Sequence, residues 1–223
     1  MDNFMDNFLG FSRFGPAIEK RDVPPAKIAK FKGKLPDKLL EYWQQYGWCG
    51  YADGLFWTVD PDEWEDELED WIGDTEFMEQ DVYHVIGRTA FGELILWGEK
   101  TGQSIKVVTS WGMIFPSLDP DEFHTDGPDL SIQLFFSSVS RNSFDTNDEK
   151  DKPLFERALA KLGPLDHNTM YGFVPALGLG GKAILDNLQK LDAHTHLSII
   201  VQATERQIMR DIGKDARDAG LML

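Results

Sequence analysis

Residues 60–81, DPDEWEDELEDWIGDTEFMEQD, hold 12 carboxylates in 22 positions and neither lysine nor arginine. The stretch is not a featureless tail, because Trp64, Leu68, Trp71 and Ile72 recur at helical spacing. One stripe of such a helix packs on a core while the other faces present carboxylates to water. Asp60-Pro61 supplies the start, an N-cap residue followed by proline at the first helical position. The carboxylates just after it favour the positive end of the helix dipole. A rigid anionic surface of this kind suits a basic partner better than nucleic acid or an anionic membrane.

The remaining composition narrows the function classes. The 223 residues are 42% hydrophobic and 12% aromatic, enough for a sizeable core and one or two domains. The formal charge of −16 disfavours direct nucleic-acid binding, which needs cations to neutralise phosphates. Cys49 is the single cysteine, so no intramolecular disulfide forms and a reducing compartment fits. Among Trp48, Gly50 and Tyr51, it reads as a small core residue. The amino terminus has acids where a secretory signal has bases, and no run reaches the length of a transmembrane helix. These features point to a soluble cytoplasmic protein.

Taken in order, residues 1–14 predict a short amphipathic helix with Phe4, Phe8, Leu9 and Phe11 on one side. Residues 20–38 are locally basic, and Pro24-Pro25 predicts an extended passage whose cations are placed to meet the acidic stretch. Leu35-Pro36-Asp37 opens a helix with Leu39, Leu40, Trp43 and Tyr46 inward and Gly47 as its stop. Strands are predicted at 55–59, 82–91, 93–97, 104–109 and 111–115, separated by glycine-containing turns. A helix over 129–140 is capped by Asp129. The polar segment 142–152 reads as a linker. Helices are predicted at 153–162, 182–191, 193–204 and about 205–219, with an apolar segment at 171–177. The expected fold is α+β, a small antiparallel sheet packed with helices in the amino-terminal part and a mainly helical carboxy-terminal part. The expected units are residues 1–141 and 153–223 around the linker.

Motifs for chemistry are weak. Gly178-Leu179-Gly180-Gly181-Lys182-Ala183 fits a loose G-x-G-x-x-[GA] pattern, but too little chain follows for a βαβ unit. As a P-loop it has Ala176 for the first glycine and Ala183 for the magnesium-binding hydroxyl. His194 and His196 are two apart and point to different faces of a helix, which is poor chelation geometry. No Cys cluster or H-E-x-x-H indicates metal, and no G-x-S-x-G elbow surrounds a nucleophile. We expect no cofactor, no metal and no catalytic residues.

Several longer motifs resemble known families. Leu35–Trp48 (LPDKLLEYWQQYGW), Gly54–Pro61 (GLFWTVDP) and Tyr83–Gly98 (YHVIGRTAFGELILWG) are similar to the GAD-like domain. Phe155–Asp166 (FERALAKLGPLD), Met170–Gly181 (MYGFVPALGLGG) and His196-Leu197 are similar to the domain that follows it in type VI secretion immunity proteins. The combination resembles the Tdi-type immunity proteins, which protect a bacterium from Tde-type DNase effectors, and has SUKH-like relatives. The resemblance implies a non-enzymatic inhibitor that binds its toxin in the bacterial cytoplasm. It assigns no contact residues.

The main expectation is therefore a protein that binds the basic DNA-binding cleft of a secreted nuclease effector. The residues expected to bind are Asp62, Glu63, Glu65, Asp66, Glu67, Glu69, Asp70 and Glu76, with Trp57 or Trp71 as anchors. Asp119, Asp121, Glu122 and Asp126 form a second acidic candidate. Three alternatives stand beside it: a SUKH-like regulatory or scaffold module with another protein partner, a small-molecule or nucleotide-binding enzyme using the Gly178–Ala183 turn, and an acidic helix neutralised internally by the segment Lys27–Lys38.

Overall fold

Aromatic and β-branched residues crowd the segments that become strands, and left-handed glycines such as Gly47 (φ 75°) and Gly92 (φ 78°) close the elements between them. The computed structural model describes residues 3–11, 14–116 and 121–209. Its elements begin with α1 (Asn3–Asp6), a π turn (Asn7–Phe11), β1 (Ile18–Arg21), α2 (Pro25–Phe31), α3 (Asp37–Tyr46), β2 (Trp48–Tyr51) and β3 (Phe56–Thr58). A 3₁₀ turn (Pro61–Trp64) leads into α4 (Glu65–Ile72), α5 (Phe77–Gln80), β4 (Tyr83–Thr89), β5 (Leu94–Gly98) and β6 (Gly102–Val108). A second 3₁₀ turn (Thr109–Trp111) precedes β7 (Met113–Pro116), α6 (Asp121–Ser138), α7 (Arg141–Phe144) and α8 (Phe155–Leu162). Then come β8 (Thr169–Phe173), 3₁₀ turns at Leu177–Leu179 and Leu185–Asn187, β9 (Leu188–Asp192), α9 (Ala193–Ala203) and β10 (Gln207–Ile208).

Among the described residues, eight strands make one sheet in the order β1-β2-β3-β4-β5-β6-β7-β10, and β8 pairs with β9 in a separate hairpin. Every pairing is antiparallel except β7 with β10, which is parallel. The α+β class expected from the sequence is the class found, although the sheet is larger than expected. All of β5 is buried, and β4 is buried apart from His84. Successive strand residues face opposite ways, so helices and loops cover both faces of the sheet centre. Within the core, Phe8 stacks on Phe14 at 4.3 Å and Phe56 on Phe144 at 4.7 Å between ring centres. Each such pair adds about 1 kcal/mol beyond its area burial.

Phe144 comes from the segment whose composition reads as a linker. That segment is folded: Ser140 and Ser143 form a capping box on α7, and Asp145 Oδ1 accepts the Thr146, Leu154 and Phe155 amides. Asp129 also differs from expectation. It is not the cap of its own helix but accepts the Lys38 amide of α3 at 2.9 Å. Helix α3 starts after Pro36, which has no capping side chain, so the acceptor arrives from 91 residues away.

Three predicted segments are corrected. Pro24-Pro25 does not keep the chain extended; Pro25 takes the first position of α2, where its missing amide costs nothing. Residues 182–191 do not form a helix. Leu188 and Leu191 mimic helical spacing, but β8 offers backbone partners over its whole length, and strand pairing prevails. Residues 205–209 are not helical either: the Gln207 and Met209 amides bond to the Gly112 and Ile114 carbonyls, satisfying what would be the bare edge of β7. The remainder of that predicted helix, and Asp119 with the side chains of Asp121, Glu122 and Asp126, lie outside the described residues.

Candidate protein-binding surface

The acidic helix forms as its pattern demands. The Asp60 side chain accepts the Asp62 amide at 3.1 Å, Pro61 follows, and one 3₁₀ turn leads into α4. Trp64, Trp71 and Ile72 are buried, Leu68 partly so, and the carboxylates divide into four groups.

The first group faces inward. Glu67 is buried, its Oε1 2.7 Å from His194 Nδ1, and the His194 ring sits 4.7 Å from the Trp64 ring. The Glu67 bond holds His194 protonated to higher pH than usual, against the opposing effect of its burial. Beneath lies Arg88, fully buried, 5.1 Å from the Trp57 ring centre and 5.7 Å from that of Trp64. It donates to the Asp166 and His167 carbonyls at 2.8 and 3.0 Å. Burial pushes its pKa down to about 9, partly opposed by the Asp166 charge. Arg88, His194 and Trp64 thus join the acidic helix to the carboxy-terminal segments.

The second group is paired with the basic passage. Lys27 Nζ lies 2.7 Å from Asp60 and 2.5 Å from Asp62, Lys30 Nζ 2.6 Å from Asp62, and Arg21 grips Glu63 with bonds of 3.0 and 2.7 Å. Burial alone would raise the Asp62 pKa, but the bonds from Lys27 and Lys30 outweigh it and the net shift is downward. Glu65 is only 3.9 Å from Lys30 and stays exposed. Internal neutralisation is therefore real at this flank of the helix, and it involves Asp62 and Glu63 among the residues expected to bind.

The third group closes the helix and the hairpin beyond. Arg206 donates to the Asp70 and Trp71 carbonyls and, at 2.8 and 2.6 Å, to both oxygens of Asp74. A cation at the carbonyl end suits the helix dipole. Buried Asp81 collects the Val82, Lys100 and Thr101 amides, shaping the β5–β6 turn.

The fourth group is left outside. Asp66, Glu69 and Asp70 are exposed and their carboxylates meet no basic side chain among the described residues; Glu76 is exposed on the turn that follows. The anchors are corrected. Trp57 and Trp71 are 0% and 1% exposed, because Trp57 covers Arg88 and Trp71 is part of the stripe that seats the helix. Neither presents a surface.

Sequence reasoning missed Arg88, His194 and Arg206 as supports of this surface. Arg88 left a signal, a lone charge amid the apolar strand residues 85–91; Arg206 left none. No group of three His, Cys, Asp or Glu suited to a metal occurs among the described residues, and no described helix is long and apolar enough to cross a membrane.

Residues 3–111 match the family described as GAD-like domain, and residues 129–204 match the T6SS immunity protein Tdi1, C-terminal family. No curated protein matches the chain. Among solved structures, the crystal structure of Atu4351 from Agrobacterium tumefaciens superposes with a TM-score of 0.78 at 23% identity, covering 91% of this chain and 90% of that one. That likeness shows the fold. A GAD-like domain followed by a Tdi1 carboxy-terminal domain takes in most of the sequence, and the protein belongs with the Tdi1-type immunity proteins of the type VI secretion system.

Proposed function

We propose that this immunity protein neutralises a type VI-secreted nuclease, a DNase, by covering the toxin's basic DNA-binding cleft with the outer face of α4, acting by binding and not by catalysis. The observation that carries the reading is the sorting of carboxylates along the 3₁₀ turn and the short helix α4 that follows it. Asp62 and Glu63 are tied to Lys27, Lys30 and Arg21, whereas Glu65, Asp66, Glu69 and Asp70 stay outside on a helix fixed at both ends. A nuclease must hold polyanionic DNA, so its cleft is cationic, and a rigid row of carboxylates complements it. The cytoplasm is where such a toxin meets its DNA and where the inhibitor would intercept it. The division into a GAD-like unit over 1–141 and an immunity unit over 153–223 belongs to the same proposal, with α4 on the first unit braced by His194 and Arg206 of the second.

The test is a variant with Glu65, Asp66, Glu69 and Asp70 each changed to Lys. These positions are exposed, so the fold is retained, and protection of cells expressing the effector is expected to disappear. Full protection by a folded variant would refute the role of this face.

A further inference from the structure

Three segments converge where α9 ends. A β-carbon on Gly112 would lie 2.7 Å from Thr204 Cγ2, and one on Gly178 would lie 2.6 Å from the Thr204 hydroxyl. Between the same segments, Ser110, Leu177, His196 and Ile200 line a cavity of about 10 Å³, no larger than one water. The chain is 27% charged, yet residues 109–116, 171–181 and 193–204 contain no Asp, Glu, Lys or Arg. The largest side chains they expose are apolar, Trp111 at 44%, Leu179 at 57% and Ile199 at 57%, with the neutral Thr195 and Gln202 exposed on the same helix as Ile199.

A surface under selection for solubility alone would carry charge at such positions. Loss of charge together with an exposed tryptophan is the composition of an interface centre, not of a solvated face. The patch also has a defined neighbour. Thr204 borders it and in addition lines a groove of about 380 Å³ with Asp74, Thr75 and Arg206, and Arg206 binds the carbonyl end of α4. The apolar patch and the acidic face are therefore joined around the carboxy-terminal end of that helix.

We infer that Trp111, Leu179 and Ile199 are the anchor of the toxin-binding surface, while the carboxylates of α4 steer the toxin in; the inference rests on the immunity function proposed above. The partner surface it fits has an uncharged, apolar area next to a cationic one. The roles separate by rate. Exposed charges at the rim govern the association rate and its salt dependence, whereas buried apolar anchors govern dissociation.

The experiment measures binding kinetics at several salt concentrations. The probe is the effector whose expression kills cells lacking this protein, silenced by mutation. The double variant Leu179→Ser/Ile199→Ser, and separately Trp111→Ala, are expected to raise the dissociation rate about 100-fold with association and its salt dependence unchanged. The variant Asp66→Asn/Glu69→Gln/Asp70→Asn is expected to slow association at least about tenfold and flatten its salt dependence, with dissociation little altered. Circular dichroism melting confirms that each variant is folded. An unchanged dissociation rate in the folded patch variants, with association still slowed in the acidic one, would overturn the anchor while leaving the immunity function standing. Absence of binding by the unaltered protein would overturn both. Sedimentation of the protein alone supplies the other decisive result: a dimer that the patch substitutions dissociate would mean that a second copy covers the patch, and the anchor assignment would be wrong.

Discussion

Arg88 lies over Trp57, its guanidinium carbon 5.1 Å from the ring centre, and its Nη2 reaches across to the Asp166 and His167 carbonyls. A fully buried cation is expensive to desolvate, so its retention means that these bonds define the geometry between β4 and the turn before β8. Lysine cannot reproduce them, because its single compact ammonium lacks the planar fork. Arg88→Lys is expected to cost about 2 kcal/mol in urea unfolding, from part-buried carbonyls left without donors beneath a buried ammonium. Unchanged stability would show that the fork is not what joins the two regions.

Lys27 makes a second test at the flank of the helix. Its ammonium meets Asp60, whose side chain is nearly buried, and Asp62. Lys27→Met strands the Asp60 carboxylate and is expected to cost about 2 kcal/mol near neutral pH. The net downward shift at Asp62 sets the sign of the pH effect. A carboxylate with a depressed folded pKa stabilises above its unfolded value, about 3.9, and loses that contribution as pH falls through the folded value. The difference in Tm between the two proteins should therefore shrink on acidification below about pH 4; a constant difference would exclude the ion pair as its source.

The Glu67–His194 bond predicts the opposite pH sense. Because Glu67 raises the His194 pKa, the bond stabilises fully below the unfolded value near 6.5 and its contribution fades as pH rises through the folded value. His167 and His196, both lowered chiefly by burial, act in the reverse direction, so the raw pH profile mixes the three. Subtracting the profile of His194→Gln isolates the bond. The remaining stabilisation should be largest below pH 6 and decline above it. A difference that grew with pH would contradict the assignment.

The exposed carboxylates should be costly to the fold that carries them. Asp66 and Glu69, Asp66 and Asp70, and Glu65 and Glu69 are like charges three or four apart on one helix. Each such pair destabilises by about 0.2–0.5 kcal/mol at low salt. Asp66→Asn/Glu69→Gln/Asp70→Asn is thus expected to melt about 2–4 °C higher than the natural protein in low salt, converging with it in 1 M NaCl. Lower stability in the triple variant would mean that these side chains support the fold.

Much of this organisation is legible in the sequence where local rules act alone. The Asp60-Pro61 start, the Trp64–Leu68–Trp71 stripe, the helix from Asp37 to Gly47 and the hairpin strands from Tyr83 to Pro116 follow from periodicity and turn residues. Other features depend on distant partners. Residues 188–192 become a strand because β8 lies beside them, and Asp129 caps a helix far away in sequence because α3 lacks a cap of its own. At the surface, charge density announced the acidic face but not which carboxylates remain free, since that depends on where Lys27, Lys30, Arg21 and Arg206 fold back. Aromatic content misled in one respect: Trp57 and Trp71 sit next to the carboxylates in sequence and beneath them in space.

The parallel pairing of β10 with β7 sets an order of events during synthesis. Strands β1–β7 leave the ribosome well before residues 207 and 208, so a growing chain holds β7 as an unfilled edge until β10 arrives. During that interval the nascent protein offers a docking rail for other extended segments. For an antidote the timing matters twice over: the β7 edge stays open until β10 is made, and Arg206, which secures the end of the acidic helix, arrives just ahead of that strand.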